Sequence, residues 1–576
     1  MSSAPESPPR APTIRESRHQ QIYPRLSEQQ LAAIEAYGPR RRYPAGAILF
    51  EEGQRHIPVF VVLAGAIEVR RRTRSGNELI ATEERGMFSG EIGQLSGHAA
   101  LGTGRAREDC EVVVIEEPAL RRLIVDDAEV SEVMMRAYIL RRMALIEEAI
   151  GGATVVGSRQ SGDTLRLRQF LTRNNQPHTY LDLDRDAAAA TLLQQFSVGA
   201  DDLPVVISTS GIVMRNPTMR ILAERLGLGP DRLDGRTFDV AVVGAGPAGL
   251  AAAVYAASEG LRVLVLDANA PGGQAGSSSR IENYFGFPTG ITGRALAGRG
   301  FTQAEKFGAE LAIPREVVRL ECAQERATII EIDGGERVVA HAVVIATGAR
   351  YHKPGIANLE RFEGRGIYYA ASGAEAQLCA GEEVIIVGGG NSAGQAAVYL
   401  AGHAKQVHVL VRAPGLAASM SDYLIRRIEA AENITLRTET ELVALEGDVM
   451  LESVRWRHNP SGAVEERPIQ HVFLFCGADP NAKWIEGCIA LDAAGFVKTG
   501  TSISADELRR AGWPLSRPPH AFETSRPGVF AVGDVRSGSI KRVAAAVGEG
   551  ATAVQLLHGV LSEMRIDHLD RGAGTG

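Results

Sequence analysis

The chain has 576 residues, 45% hydrophobic and 23% charged, and 62 Lys+Arg against 69 Asp+Glu give a formal net charge of −7. That balance excludes wholesale disorder and a basic nucleic-acid-binding surface. No apolar run reaches the roughly 18 residues of a membrane span, and the first 21 residues hold no apolar leader core, so a cytoplasmic protein is expected. At about 150 residues per domain, the length predicts roughly four domains.

Residues 1–22 are rich in Pro, Ser and Arg and predict a disordered tail. Over 23–150, apolar runs at 46–50, 59–63, 67–69 and 110–115 are separated by glycine turns and read as short strands. A helix is predicted over 131–147, with Val133, Met134, Ala137, Leu140 and Ala144 in one stripe. That stripe is either a dimer seam or a face packed on its own domain. Residues 151–232 alternate strand (153–156), helix (165–174), strand (179–183), helix and strand (203–207), a small α/β sheet. A large block follows, and 563–576 reads as a loose tail.

The large block holds two strand–glycine loop–helix units. In the first, the apolar run 238–243 leads into Gly244, Ala245, Gly246, Pro247, Ala248 and Gly249, and a strand at 263–266 ends on Asp267. Glycines let the backbone turn tightly and approach a pyrophosphate, the helix N-terminus offers N–H groups, and the acid accepts from a ribose hydroxyl. The second unit places Gly388, Gly390, Asn391, Ser392 and Ala393 after a strand at 384–387. Its acid position lies near Arg412, which suits a 2′-phosphate and favours NADPH over NADH, the other reading being a solvated surface arginine.

Two such units resemble the low-molecular-weight thioredoxin reductases, within the two-dinucleotide-domain flavoproteins. Gly273 and Gln274, with Asn283, resemble that family's second FAD-contacting stretch, and Ala346-Thr347-Gly348 its strand-end signature. The stretch closing on Gly533-Asp534 resembles the motif whose Asp meets the flavin ribityl chain, and Arg542-Val543-Ala544 the start of the helix below the pyrimidine ring. The resemblance implies an FAD domain over 236–352 and 480–562, an NAD(P)H domain over 353–479, FAD and NADPH as cofactors, and a homodimer. It departs at the redox dithiol: where the family has C-x-x-C, this chain has Ala370 and Gly373.

The five cysteines, Cys110, Cys322, Cys379, Cys476 and Cys488, contain no C-x-x-C pair and predict inert thiols rather than a disulfide framework. Cys379 reads as a small buried hydrophobe. No catalytic side chain is assigned, since hydride transfer between nicotinamide and flavin is cofactor chemistry. No metal site is expected. Three functions remain open: an NADPH-dependent flavin reductase with a quinone, ferredoxin-like protein or small oxidant as acceptor; a flavin-containing regulatory or redox-sensing protein without turnover; and a thioredoxin-disulfide reductase by an atypical route.

Residues 43–46, 59–65, 88–93 and 105–111 resemble a cyclic-nucleotide-binding domain, which implies that Gly90 and Glu91 meet a ribose. The arginine that would pair with the cyclic phosphate is replaced by Ala100, so a degenerate or altered pocket is expected. Residues 153–230 resemble a thioredoxin or glutaredoxin module without cysteines, Leu203-Pro204 standing at its cis-proline position, with an unrelated α/β linker as the other reading. The fold class expected is multidomain: an N-terminal β-roll with helices, a small thioredoxin-like α/β module, then two Rossmann-like three-layer FAD/NAD(P)-binding domains.

Overall fold

A parallel strand covered on both faces is apolar where it is buried, as Val240–Val243 are in the strand Thr237–Val243. In the computed structural model, which describes residues 13–73, 76–90, 99–147, 152–208, 211–228, 232–321 and 327–572, it lies inside a seven-stranded sheet. Glu310–Ala312, Val263–Leu266, Thr237–Val243 and Arg337–Ile345 run parallel in that order. The hairpin strands Val317–Glu321 and Thr328–Ile332 extend the sheet, and the late strand Val529–Ala531 pairs parallel with Val343–Ile345.

The chain leaves this domain through Ala349–Arg350 and returns through Asp479–Pro480, two segments paired antiparallel as a two-stranded ribbon. Between them, Ile367–Tyr368, His471–Leu474, Glu383–Val387, Gln406–Leu410 and Ile434–Arg437 form a second parallel sheet in that order. A three-stranded antiparallel sheet, Thr440–Glu446, Ser453–His458 and Val464–Arg467, covers it. Both glycine loops therefore sit at the C-terminal ends of parallel strands.

At the other end of the chain, two antiparallel sheets form a roll. One contains Arg40–Tyr43, Cys110–Ile115 and Val59–Ala64; the other contains Ile48–Phe50, Thr103–Ala106, Ala66–Thr73 and Gly76–Glu84. The unbroken apolar run at 59–63 serves two cores. Phe60 and Val62 face the roll interior with Phe50 and Val112, while Val59, Val61 and Leu63 face the helices with Leu123, Met134 and Tyr138. The helix Ala128–Glu147 turns its stripe inward: Met134 and Ala137 join that helical core, and Leu140 and Ala144 pack with Ile22. The stripe thus belongs to its own domain.

Two terminal expectations are corrected over the described residues; 1–12 of the expected N-terminal tail lie outside them. Ile14–Ser17 and His19–Ile22 are helical turns, the first held by a Thr13/Glu16 capping box. Ile22 is fully buried and its carbonyl accepts from Arg141 Nε, a tertiary contact that a Pro/Ser/Arg composition does not reveal. At the other end the helix Val543–Gly572 continues over 563–572 of the segment read as a loose tail, and 573–576 lie outside the described residues.

The small central unit has strand order Val213–Arg215, Val205–Ile207, Ala153–Gly157, His178–Asp182. The first pair and the middle pair are antiparallel, and the last pair is parallel. The helices Gly162–Arg173, Ala187–Gln195 and Met219–Arg225 complete it, and Leu203–Pro204 is cis.

The long terminal helix lies against the helix of the first glycine loop, Pro247–Ser258. A Cβ on Gly550 would sit 2.2 Å from the Ala248 carbonyl oxygen, whereas one on Gly548 would meet nothing within 4 Å. Gly550→Ala is expected to lower unfolding stability by about 1–3 kcal/mol through overpacking. Gly548→Ala is expected to raise it by about 0.5–1 kcal/mol through reduced backbone entropy. Denaturant unfolding of the two variants beside the parent protein checks both signs.

Candidate active site

A cleft of about 1540 Å³ opens where the two parallel sheets face each other. Gly246, Pro247, Ala248 and Asp267 of the first unit line it, with Gly273, Gln274 and Asn283. Ala346, Thr347 and Gly348 contribute the strand end, and Gly533, Asp534, Arg542 and Val543 the closing stretch. Asn391 and Ser392 reach it from the second glycine loop, and Ala370 and Gly373 also lie on its wall. Residues distant by up to three hundred positions thus share one cavity.

The remaining expected site residues do not line the cleft. Gly244, at φ +109°, and Gly249 are packing positions: a Cβ on Gly249 would sit 1.8 Å from the Gly244 carbonyl oxygen. Gly388 is likewise pressed on the Phe475 carbonyl, at 2.6 Å from a built Cβ, and Ala393 is fully buried. Gly390 faces open space, with nothing within 4 Å of a Cβ. Arg412 is exposed just beyond the strand Gln406–Leu410, and Ala544 is exposed on the terminal helix.

Electrostatics concentrate on two carboxylates. Asp267 accepts N–H bonds from Ala245 at 2.8 Å, Asn269 at 2.8 Å and Ala270 at 3.1 Å. Burial still leaves its carboxyl above the usual carboxylate range, against the pull of those bonds and of Arg173. Asp534 is also raised by burial, which the Lys541 ammonium opposes. Tyr351 links the two units: its ring meets Phe475 edge-on at 5.2 Å, and its hydroxyl is hydrogen-bonded with Ser392. Thr347 and Asn481 exchange hydrogen bonds of 2.8 and 3.0 Å, which staple the outgoing and returning chain segments together.

The stretch that takes the place of the dithiol has Ala370 half-buried and Gly373 exposed on the cleft wall. Ser372 caps the helix Gly373–Leu378 in a capping box with Glu375, which is itself 1% exposed. Cys379 follows, fully buried, and burial pushes its thiol up to about 12. Cys110 and Cys476 are free as well, whereas Cys488 is disulfide-bonded, which corrects the expectation of unpaired thiols throughout. Cys322 lies outside the described residues.

One contributor was not legible in the sequence. The helix Gly162–Arg173 of the central module forms part of the cleft wall. Its Gln169 is hydrogen-bonded to Glu375, Leu165 packs with Tyr368 and Ala371, and Arg173 donates to the Gly273 carbonyl at 3.0 Å. Nothing in the periodicity of the helix signals which neighbour it meets.

The roll holds a separate cavity of about 90 Å³, mostly apolar, lined among others by Phe50, Ile80, Gly90 and Ala100. Arg15 and Arg141 also line it, the first from the segment expected to be a tail. Arg141 donates to the carbonyls of Phe88 and Gly90 at 2.8 and 2.7 Å. Glu91 lies outside the described residues.

These features have counterparts in known proteins. The family described as "Pyridine nucleotide-disulphide oxidoreductase" matches residues 238–550, and "Cyclic nucleotide-binding domain" matches 40–127. The chain belongs to the pyridine nucleotide-disulphide oxidoreductase family.

Among its relatives, the thioredoxin reductase of Streptomyces coelicolor is 30% identical over 316 residues, covering 55% of this chain and 91% of that one. The Arabidopsis thaliana NADPH-dependent thioredoxin reductase 3 is 33% identical over 327 residues, covering 55% of this chain and 56% of the other. Among solved structures, the Lactococcus lactis thioredoxin reductase in its FR conformation superposes with a TM-score of 0.50 at 28% identity. It covers 57% of this chain and 99% of its own.

This oxidoreductase is an NAD(P)H-dependent flavoprotein, and the thioredoxin reductases to which it is similar use FAD and NADPH. The residues suit them: the backbone is uncovered at Gly246, in the cleft, and at Gly390, next to the cleft-lining Asn391, two cradles that a side chain would fill. No described helix is long and apolar enough to cross a membrane, and the described residues hold no cluster suited to a metal ion.

In the roll of the oxidoreductase, Glu83 is 2% exposed beside Arg141, and burial raises its carboxyl from 4.5 to about 7. A carboxyl raised on folding favours the native state while protonated. Its contribution is therefore complete below pH 4.5 and declines as pH climbs towards 7. Glu83→Gln is expected to abolish that decline, so the variant's unfolding midpoint should gain on the parent's between those pH values. Parallel midpoint curves would show that Glu83 does not titrate in this window.

Proposed function

We propose that this flavoprotein takes a hydride from NADPH onto FAD and passes the two electrons to an acceptor that is not a dithiol: a quinone, a ferredoxin-like protein or a small oxidant. When bound, the cofactors supply the hydride chemistry itself. The protein's share is placement. The first glycine loop, Asp267 and Asp534 hold FAD, while Gly390, Asn391, Ser392 and Arg412 hold NADPH, with Arg412 offering a guanidinium to a 2′-phosphate.

The observation that carries the reading is the wall where a dithiol would stand. Ala370 and Gly373 have no sulfur, and Cys379 is fully buried with its thiol pushed up to about 12, so no thiolate faces the cleft from it at neutral pH. The module helix meets the same wall through Gln169 and Leu165. A cysteine-free thioredoxin-like identity for that module is supported by its strand order, with one parallel and two antiparallel pairs. A disulfide-carrying partner would therefore meet a wall without sulfur, part of which the module helix occupies.

A second reading, thioredoxin reduction by an atypical route, is favoured by the relatives, which are named thioredoxin reductases. Steady-state NADPH oxidation separates the two. Turnover is expected with a soluble quinone or ferricyanide and none above background with thioredoxin, and Cys379→Ala should keep the quinone rate within about twofold. Thioredoxin-dependent turnover that Cys379→Ala abolishes would establish the second reading instead.

A further inference from the structure

The first glycine loop has a cation beside it that belongs to another domain. Arg173 ends the module helix Gly162–Arg173 and lines the cleft. Its Nη2 donates to the Gly273 carbonyl at 3.0 Å, and its Nε is buried without a hydrogen-bond partner. Gly273 in turn abuts the loop: a Cβ built on it would lie 3.1 Å from Gly246 Cα. The guanidinium is thus next to the backbone that the proposed reading gives to the FAD pyrophosphate.

Its surroundings leave that charge under-compensated. Asp267 is the acid that acts on it, and that carboxylate already accepts three backbone N–H bonds. Desolvation presses the guanidinium towards its neutral form, and a half-buried cation with an orphan donor is costly unless an anion meets it. Of the other cations of this helix that line the cleft, Arg166 is engaged with Asp163 and Asn216, and Arg168, whose Nε is also buried without a hydrogen-bond partner, stacks over the Tyr180 ring at 4.0 Å rather than meeting the first glycine loop. The helix Pro247–Ser258 already directs its N-terminus to the same place.

We propose that Arg173 is a cofactor-binding residue of the FAD site, supplied by the central module, whose guanidinium pairs with the FAD pyrophosphate. The module is then a structural part of the flavin site. The inference rests on the assignment of FAD to the first glycine loop.

The test uses the full chain stripped of flavin and titrated with FAD, then with ADP and adenosine as competitors. Arg173→Gln is expected to weaken FAD and ADP by about tenfold or more, the size of a lost charge-assisted pair, and adenosine by less than about twofold. Arg173→Lys should fall between the parent and Arg173→Gln. Asn174→Ala removes a neighbouring tie to the Asn269 carbonyl without removing charge, and it should leave FAD affinity within about threefold. The proposal is overturned if Arg173→Gln binds FAD as the parent does. It is equally overturned if FAD, ADP and adenosine weaken together, or if Asn174→Ala matches Arg173→Gln, because the role is then docking. A parent protein that takes up no FAD at all overturns the underlying assignment instead.

Discussion

The close approach of backbone to backbone at the first glycine loop is the constraint on which the rest depends. Gly249 packs onto the Gly244 carbonyl, Gly244 onto the Ala346 carbonyl, and Gly550 onto the Ala248 carbonyl. Side chains at these points would separate the loop helix from the sheet and from the terminal helix. The N-terminus of Pro247–Ser258 would then no longer present its N–H groups at the floor of the cleft. Gly533, in the left-handed region at φ +72°, sits under the same helix and carries Asp534 to the cleft.

From that floor the architecture follows. The sheet around Thr237–Val243 is completed only when the chain returns as Val529–Ala531, so the second nucleotide domain is an insertion hung on the ribbon of Ala349–Arg350 with Asp479–Pro480. Tyr351 and the Thr347/Asn481 pair bring the two glycine loops to one cavity. The central module then bridges both domains, through Arg173 and Asn174 to one and through Gln169 and Leu165 to the other. A reductase that must expose a dithiol to a partner gains nothing from such a bridge, whereas one whose flavin is the sole redox centre loses nothing by it.

Legibility in the sequence tracked how local the cause was. The apolar strand, the glycines and Asp267 announce the first unit because a parallel strand and a pyrophosphate turn each demand those residue types within a short window. Arg40–Tyr43 was not readable as a strand, being charged and largely exposed along its length. The helical turns at 14–22 were hidden by a tail-like composition, since only Ile22, pinned by Arg141, is buried in them. Leu140 and Ala144 were visible as a stripe, but their partner Ile22 was not. Arg173 and Gln169 could not be found from sequence at all, because their contacts cross about a hundred and two hundred residues of chain.

The central claim is that the flavin is the only centre that stores electrons during turnover. An anaerobic titration of the purified protein with NADPH, followed at the flavin absorbance band, tests it most directly. The account predicts complete bleaching at one equivalent of NADPH per flavin, two electrons in all. A requirement for two equivalents would reveal a second two-electron centre, a working disulfide, and would contradict it.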